Sequence, residues 1–224
     1  MNTRTWIRLT ASVFLFFFAV QGYADTTDDF LGAVEVDYVD KVSRMLKEGV
    51  NPNTAEDGSG NTGLIVALFE GSMRSFQVIL ENPFTDINHR ARNGNTALMV
   101  AVFKSNMPAI QALLARNAVV NQPGWTALHY AAATGNEEIM RILLDKKAQV
   151  DATAPNGTTP LMMAARSGHI RAVKLLLDHG ADVRLKNEWH MSAIDFARDN
   201  GFSEIETGLQ SRLDKIRQMA ARKH

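Results

Sequence analysis

The chain has 224 residues, 24 of them basic, 24 acidic and none cysteine, which excludes disulfides and thiolate metal sites. The charge is uneven: residues 1–24 hold Arg4 and Arg8 and no acid, the segment from Ser211 holds five cations against Asp214, and residues 25–210 carry a net charge of −6. A mildly acidic body without a basic stripe excludes a nucleic-acid-binding surface.

The first element is residues 1–24. Arg4 and Arg8 precede Leu9 to Val20, about a dozen mostly apolar residues, and Gly22-Tyr23-Ala24 places small residues at the two positions that signal peptidase inspects. The pattern predicts a secretory signal peptide, cleaved to leave Asp25 as the new terminus. The alternative is an uncleaved anchor, but the apolar run falls short of the ~20 residues that span a bilayer, and no stable membrane insertion is expected after cleavage. The two arginines do not form a twin pair and there is no cysteine to lipidate, so the general secretory route is expected. That makes the protein periplasmic in a Gram-negative cell, or secreted.

Beyond residue 25 the chain repeats itself. Thr62, Thr96, Thr126, Thr159 and Ser192 each open an apolar-patterned stretch, at spacings of 34, 30, 33 and 33 residues. A period of about 33 means stacked supersecondary units, not a single globular core. The first repeat, approximately 28–54, is imperfect. Phe30, Leu31 and Val34, then Val39, Val42, Met45 and Leu46, give two helical stripes, while Glu35, Asp37 and Asp40 add the polarity of a terminal cap with one face unpaired. The second, 57–88, keeps Gly60, Leu64, Ala67 and Gly71 in register. Its close departs from the pattern: Glu81-Asn82-Pro83-Phe84 adds a residue, and Pro83 must stop the helix. The third, 91–122, opens on the turn dipeptide Asn93-Gly94. Ser105 stands at its inter-helix glycine position and Asn117 at its closing one; Ser tolerates the left-handed region less well than Asn, so the Ser105 turn is expected to be the more strained. The extended segment that follows is three residues short before Pro123-Gly124.

The fourth repeat is 123–153 and the fifth, 154–186, is the most regular. There Thr159 can cap a helix with its hydroxyl and Pro160 suits the first turn, where its missing N–H is no loss. Leu161, Ala164 and Ala165 make a small-residue face, Gly168 ends the helix, and Ala172, Val173, Leu175, Leu176 and Leu177 stripe the next. Gly180 closes that helix, and Asp182 to Asn187 read as an extended finger. The sixth repeat, 187–213, leads into a basic tail, 214–224, and reads as the other cap.

These residues resemble the ankyrin-repeat family. The resemblance rests on Gly157, Thr159, Pro160, Leu161, Ala164, Ala165, Gly168, Leu176, Leu177, Gly180 and Ala181, and again on Gly124, Thr126, Ala127, Leu128, His129, Ala131, Ala132, Gly135, Leu143 and Leu144. It implies an all-α solenoid of about six helix-turn-helix units with short extended fingers, spanning residues 25–213. It also implies a role for His129, since the family's histidine at this position bonds backbone and cap groups between adjacent repeats.

No chemistry of a catalyst or metal site is legible. No two histidines stand at the i, i+4 spacing of a helical zinc pair, and there is no nucleophile elbow, phosphate loop or dinucleotide fingerprint. No cofactor, metal or catalytic residue is therefore expected, and the protein is read as no enzyme. His179 suits a helix end, where the dipole favours a cation, and His89, His190 and His224 are expected to be exposed.

In the family, finger tips and the exposed face of each first helix form a concave binding surface. The seventh and eighth residues after each cap should face it: Phe69 and Glu70, Phe103 and Lys104, Ala133 and Thr134, Arg166 and Ser167, Asp199 and Asn200. So should the residue before each cap: Asn61, Asn95, Trp125, Thr158 and Met191. Phe69, Phe103 and Trp125 are the expected aromatic anchors, with Arg92, Lys104, Arg166 and Trp189 around them. The expected function is that of a monomeric module binding an envelope protein as an accessory or protective factor. A secreted effector for a host protein and a periplasmic immunity protein against a toxin are the alternatives.

Overall fold

A computed structural model describes residues 26–222; the expected signal peptide lies outside the described residues. Among these there are twelve α-helices and no strand, the sole bridge joining Ala55 to Thr62. The chain divides into two compact units at Asn93–Gly94. The first holds α1 (26–35), α2 (Val39–Lys47), α3 (Gly63–Glu70) and α4 (Met73–Glu81). The second holds α5 (Ala97–Phe103), α6 (Met107–Ala115), α7 (Ala127–Thr134), α8 (Glu137–Asp145), α9 (Pro160–Arg166), α10 (Ile170–Asp178), α11 (Ala193–Asp199) and α12 (Ser203–Ala221). Each unit is a series of helical hairpins, as the repeat predicts.

In the first unit the core is Phe30, Val34, Val42, Leu64, Phe76 and Ile79, all 1% exposed or less. Gly63 makes room for it, because a Cβ there would stand 2.9 Å from the Phe30 ring. The start of α4 is capped from outside its own repeat. Ser72 turns its hydroxyl to the Glu35 carbonyl, and the Asp37 carboxylate accepts the Ser75 N–H at 2.8 Å. An acid beside the exposed N–H groups of a helix start satisfies a donor and opposes the dipole's positive end. Helix α4 ends at Glu81, two residues before Pro83, as expected.

In the second unit the first helices pack against one another through small side chains: Ala101, Ala131, Ala132, Ala164, Ala165 and Ala197 are all fully buried. Thr96 and Thr159 accept the N–H of Met99 and Met162. Ser192 and Asp195 close a full capping box, the carboxylate accepting the Ser192 N–H at 2.8 Å. Two of the inter-helix glycines are doubly required. Gly135 and Gly168 have φ of 69° and 76°, and a Cβ on them would lie 2.5 Å from the His169 and Phe202 rings respectively. Ser105 (φ 53°) and Asn117 (φ 60°) both take the left-handed conformation in place of glycine; so does Lys147 (φ 64°), which the sequence pattern did not single out.

The fingers are tied by a recurring bond. Asn53 accepts the Asp86 N–H and donates to the Phe84 carbonyl, and Asn121 accepts the Gln149 N–H and donates to the Lys147 carbonyl. Asp151 holds the equivalent place one finger later, but as a carboxylate it can only accept, taking the Asp182 N–H on both oxygens. Burial raises its pKa, and the neighbouring Asp182 charge adds to the rise against the opposing hydrogen bond. Helix α12 runs on through the expected tail as far as Ala221.

Candidate protein-binding surface

The surface is assembled from the ends of first helices and the finger residues that precede them. In the second unit, Phe103 is the last residue of α5 and 54% exposed. Its ring meets that of Tyr130 edge-on, with centroids 6.1 Å apart. Tyr130 is half-buried and donates its hydroxyl to Asn95, the residue before the Thr96 cap, at 2.8 Å. Burial raises the phenol's pKa, with the Asn95 bond pulling weakly the other way, so the hydroxyl stays protonated and remains a donor. Thus an exposed aromatic edge is held by a second ring, and that ring is fixed by a finger.

The next finger contributes Trp125, half-buried, whose ring stands edge-on to His129 at 5.2 Å. His129 is fully buried on α7. Its Nδ1 accepts the Thr126 N–H at 3.1 Å and its Nε2 donates to the Thr158 carbonyl at 3.0 Å. One donor and one acceptor make it a neutral imidazole, and burial depresses its pKa to about 4. It bridges one cap and the following finger, as the resemblance implied.

The remaining expected residues are placed as follows. Lys104 and Arg166, at the ends of α5 and α9, are exposed, as is Trp189 at 59% on the finger after Asn187. Neither Arg166 nor Trp189 belongs to the two ring contacts. In the first unit Phe69 is half-buried near the end of α3, and Arg92 is exposed with its backbone N–H bonded to the Ser59 carbonyl. None of Phe69, Phe103 and Trp125 is lost to the core. Tyr130 was missed; it lies one helical turn before the expected Ala133–Thr134 pair, and that i, i+3/i+4 relation is the signal that could have found it.

Two histidines differ from or refine the expectation. His89, expected to be exposed, is half-buried because its Nε2 donates to the Gly60 carbonyl at 3.0 Å. His169 bonds the Ala133 carbonyl at 3.0 Å, tying the start of α10 to the end of α7. Among the described residues no group of three His, Asp or Glu side chains could hold a metal ion. No described helix is long and apolar enough to cross a membrane.

Comparison with known proteins places this geometry. A family model for ankyrin repeats, in three copies, matches residues 30–123 and again 104–187. The chain is 39% identical over 89 residues to the ankyrin repeat and KH domain-containing protein mask of Drosophila melanogaster, which covers 39% of this chain and 2% of that protein. It is 30% identical over 150 residues to mask-1 of Caenorhabditis elegans, 65% of this chain and 6% of that one. It is 43% identical over 79 residues to the palmitoyltransferase Hip14 of Drosophila melanogaster, 34% and 12% respectively. The chain therefore spans only a small part of the length of these relatives. Helical hairpins at a period of about 33, left-handed turns between them, a buried bridging histidine and the family match lead to one conclusion: this chain belongs to the ankyrin-repeat family and carries its protein-interaction scaffold.

Proposed function

We propose that the protein is exported through its first 24 residues and acts outside the cytoplasm as a non-catalytic module that grips an envelope protein. The observation that carries this reading is the exposed Phe103 ring packed edge-on against Tyr130, whose hydroxyl is held by Asn95; the next finger adds the half-buried Trp125. An exposed ring already locked in place loses little conformational freedom when a partner covers it, so more of the burial energy remains as affinity. Aromatic groups are the usual anchors of such contacts. The non-catalytic part of the proposal is supported by the ankyrin-repeat scaffold.

The test has two arms. N-terminal sequencing of protein recovered from a periplasmic fraction should begin at Asp25; a cytoplasmic protein with an intact start overturns the export half. Wild type and Trp125→Ala, immobilised against a solubilised envelope fraction, should differ by loss of one specific protein from the variant. Identical retention by both overturns the binding half.

A further inference from the structure

A second surface lies on the second helices rather than on the first helices and fingers. Between α10 and α12 runs a trough of about 660 Å³ whose apolar lining is Ile170, Val173, Leu177, Ile205 and Leu209, with one cation, Lys174, and one acid, Glu204, among its polar lining residues. Gly208 forms part of the wall. It sits inside a 19-residue helix, yet a Cβ there would meet nothing within 4 Å. A glycine inside a helix is less favourable than alanine, and no contact among the described residues requires it. Its effect is to leave the trough wall open to close approach by another backbone.

Helix α12 also outruns its surroundings. It continues to Ala221, whereas α11, its hairpin partner, has seven residues. Along the extension Leu209, Leu213, Ile216 and Ala220 recur at intervals of 4, 3 and 4, the spacing of a seam that faces another helix. Arg212 and Lys215 follow the trough-lining Gly208 at intervals of 4 and 3, on its face of the helix, and Arg217 lies on the other side of the seam. Only Arg217 is paired with an acid, Asp214 at 3.8 Å; Arg212 and Lys215 meet no carboxylate among the described residues.

We propose that this trough and the extended α12 dock an amphipathic helix of a partner protein, with apolar residues along one stripe and Asp or Glu beside them. The chemistry favours a helix over a lipid surface. The trough lining is recessed, with Val173, Ile205 and Leu209 buried, and on the extension Leu213 and Ile216 are half-buried. A concave apolar channel is filled by a protruding ridge, whereas insertion into a bilayer needs an apolar face that itself protrudes. The row of cations selects acidic flanks and opposes pairing of two identical basic seams side by side.

The probe is a synthetic amphipathic helix with a leucine stripe flanked by glutamates, compared with the same peptide flanked by lysines. Fluorescence anisotropy on the full chain should show saturable binding of the acidic peptide only. Gly208→Leu, which points into open space, should weaken it at least tenfold while leaving the thermal midpoint within a few degrees. Arg212→Glu with Lys215→Glu should abolish it. Equal binding of both peptides, no binding of the acidic one, or binding indifferent to Gly208→Leu overturns the proposal. So does co-sedimentation with phosphatidylglycerol vesicles while the acidic peptide fails, which assigns the face to lipid, or dimerisation abolished by Gly208→Leu, which assigns it to a second copy.

Discussion

Single residues explain where the fold is sensitive to protons. His129 is held neutral by one donated and one accepted bond, and protonating Nδ1 would set an N–H against the Thr126 N–H. Its folded pKa, about 4, lies below the unfolded value of 6.5, so the unfolded chain takes up the proton first as pH falls. Stability is expected to be insensitive to this group above pH 6.5 and to decline between 6.5 and 4, by roughly 3 kcal/mol at full extent. Denaturant midpoints against pH should show that decline in the wild type and a flatter curve in His129→Gln. Asp151 has the opposite sign. Its raised pKa means that the carboxylate is the disfavoured form in the fold, and the equivalent Asn53 and Asn121 use an amide to donate a bond that it cannot make. Asp151→Asn should therefore stabilise the protein by about 1 kcal/mol, the net worth of one such bond, read as a raised thermal midpoint at neutral pH.

At the scale of elements, the hairpin turns show which glycines the packing demands. Gly168 and Gly201 have the same φ of 76°, but a Cβ on Gly168 would lie 2.5 Å from the Phe202 ring while one on Gly201 meets nothing within 4 Å. Gly201→Ala should cost only the ~1–2 kcal/mol of a left-handed non-glycine residue. Gly168→Ala adds the displacement of a ring and should cost ~1–3 kcal/mol more; equal losses in chemical denaturation would contradict this account of the turn. Within the core of α10, Leu176 is fully buried, and Leu176→Ala should cost ~2–5 kcal/mol. Much of this level was legible in the sequence. Thr96, Thr159 and Ser192 cap where the period put them, and Ser105 and Asn117 take the left-handed turns assigned to them. Lys147 in a left-handed turn was not foreseen, because nothing in a lysine's own chemistry announces that conformation. His89 was misplaced because its partner, Gly60, belongs to a finger 29 residues earlier. Tyr130 escaped for a similar reason: its anchor, Asn95, is 35 residues away, and the period locates equivalent positions without stating which of them bond across repeats.

For the molecule as a whole, a repeat scaffold leaves its binding positions free to vary while the caps, turn glycines and alanine faces keep the hairpins in register. That is why the fold could be read at the level of single residues and the partner could not: the caps and turn glycines answer to packing within the chain, whereas Phe103 is left exposed by it. The central claim is that the Phe103 edge is a contact surface in the living cell. A photoreactive phenylalanine at position 103, compared with one at Gln111 on the exposed side of α6, tests it most directly. The account predicts a single discrete protein adduct from position 103, absent from position 111 and lost when Trp125→Ala is added. Adducts of equal yield and identity from both positions, or a position 103 adduct indifferent to Trp125→Ala, would contradict it.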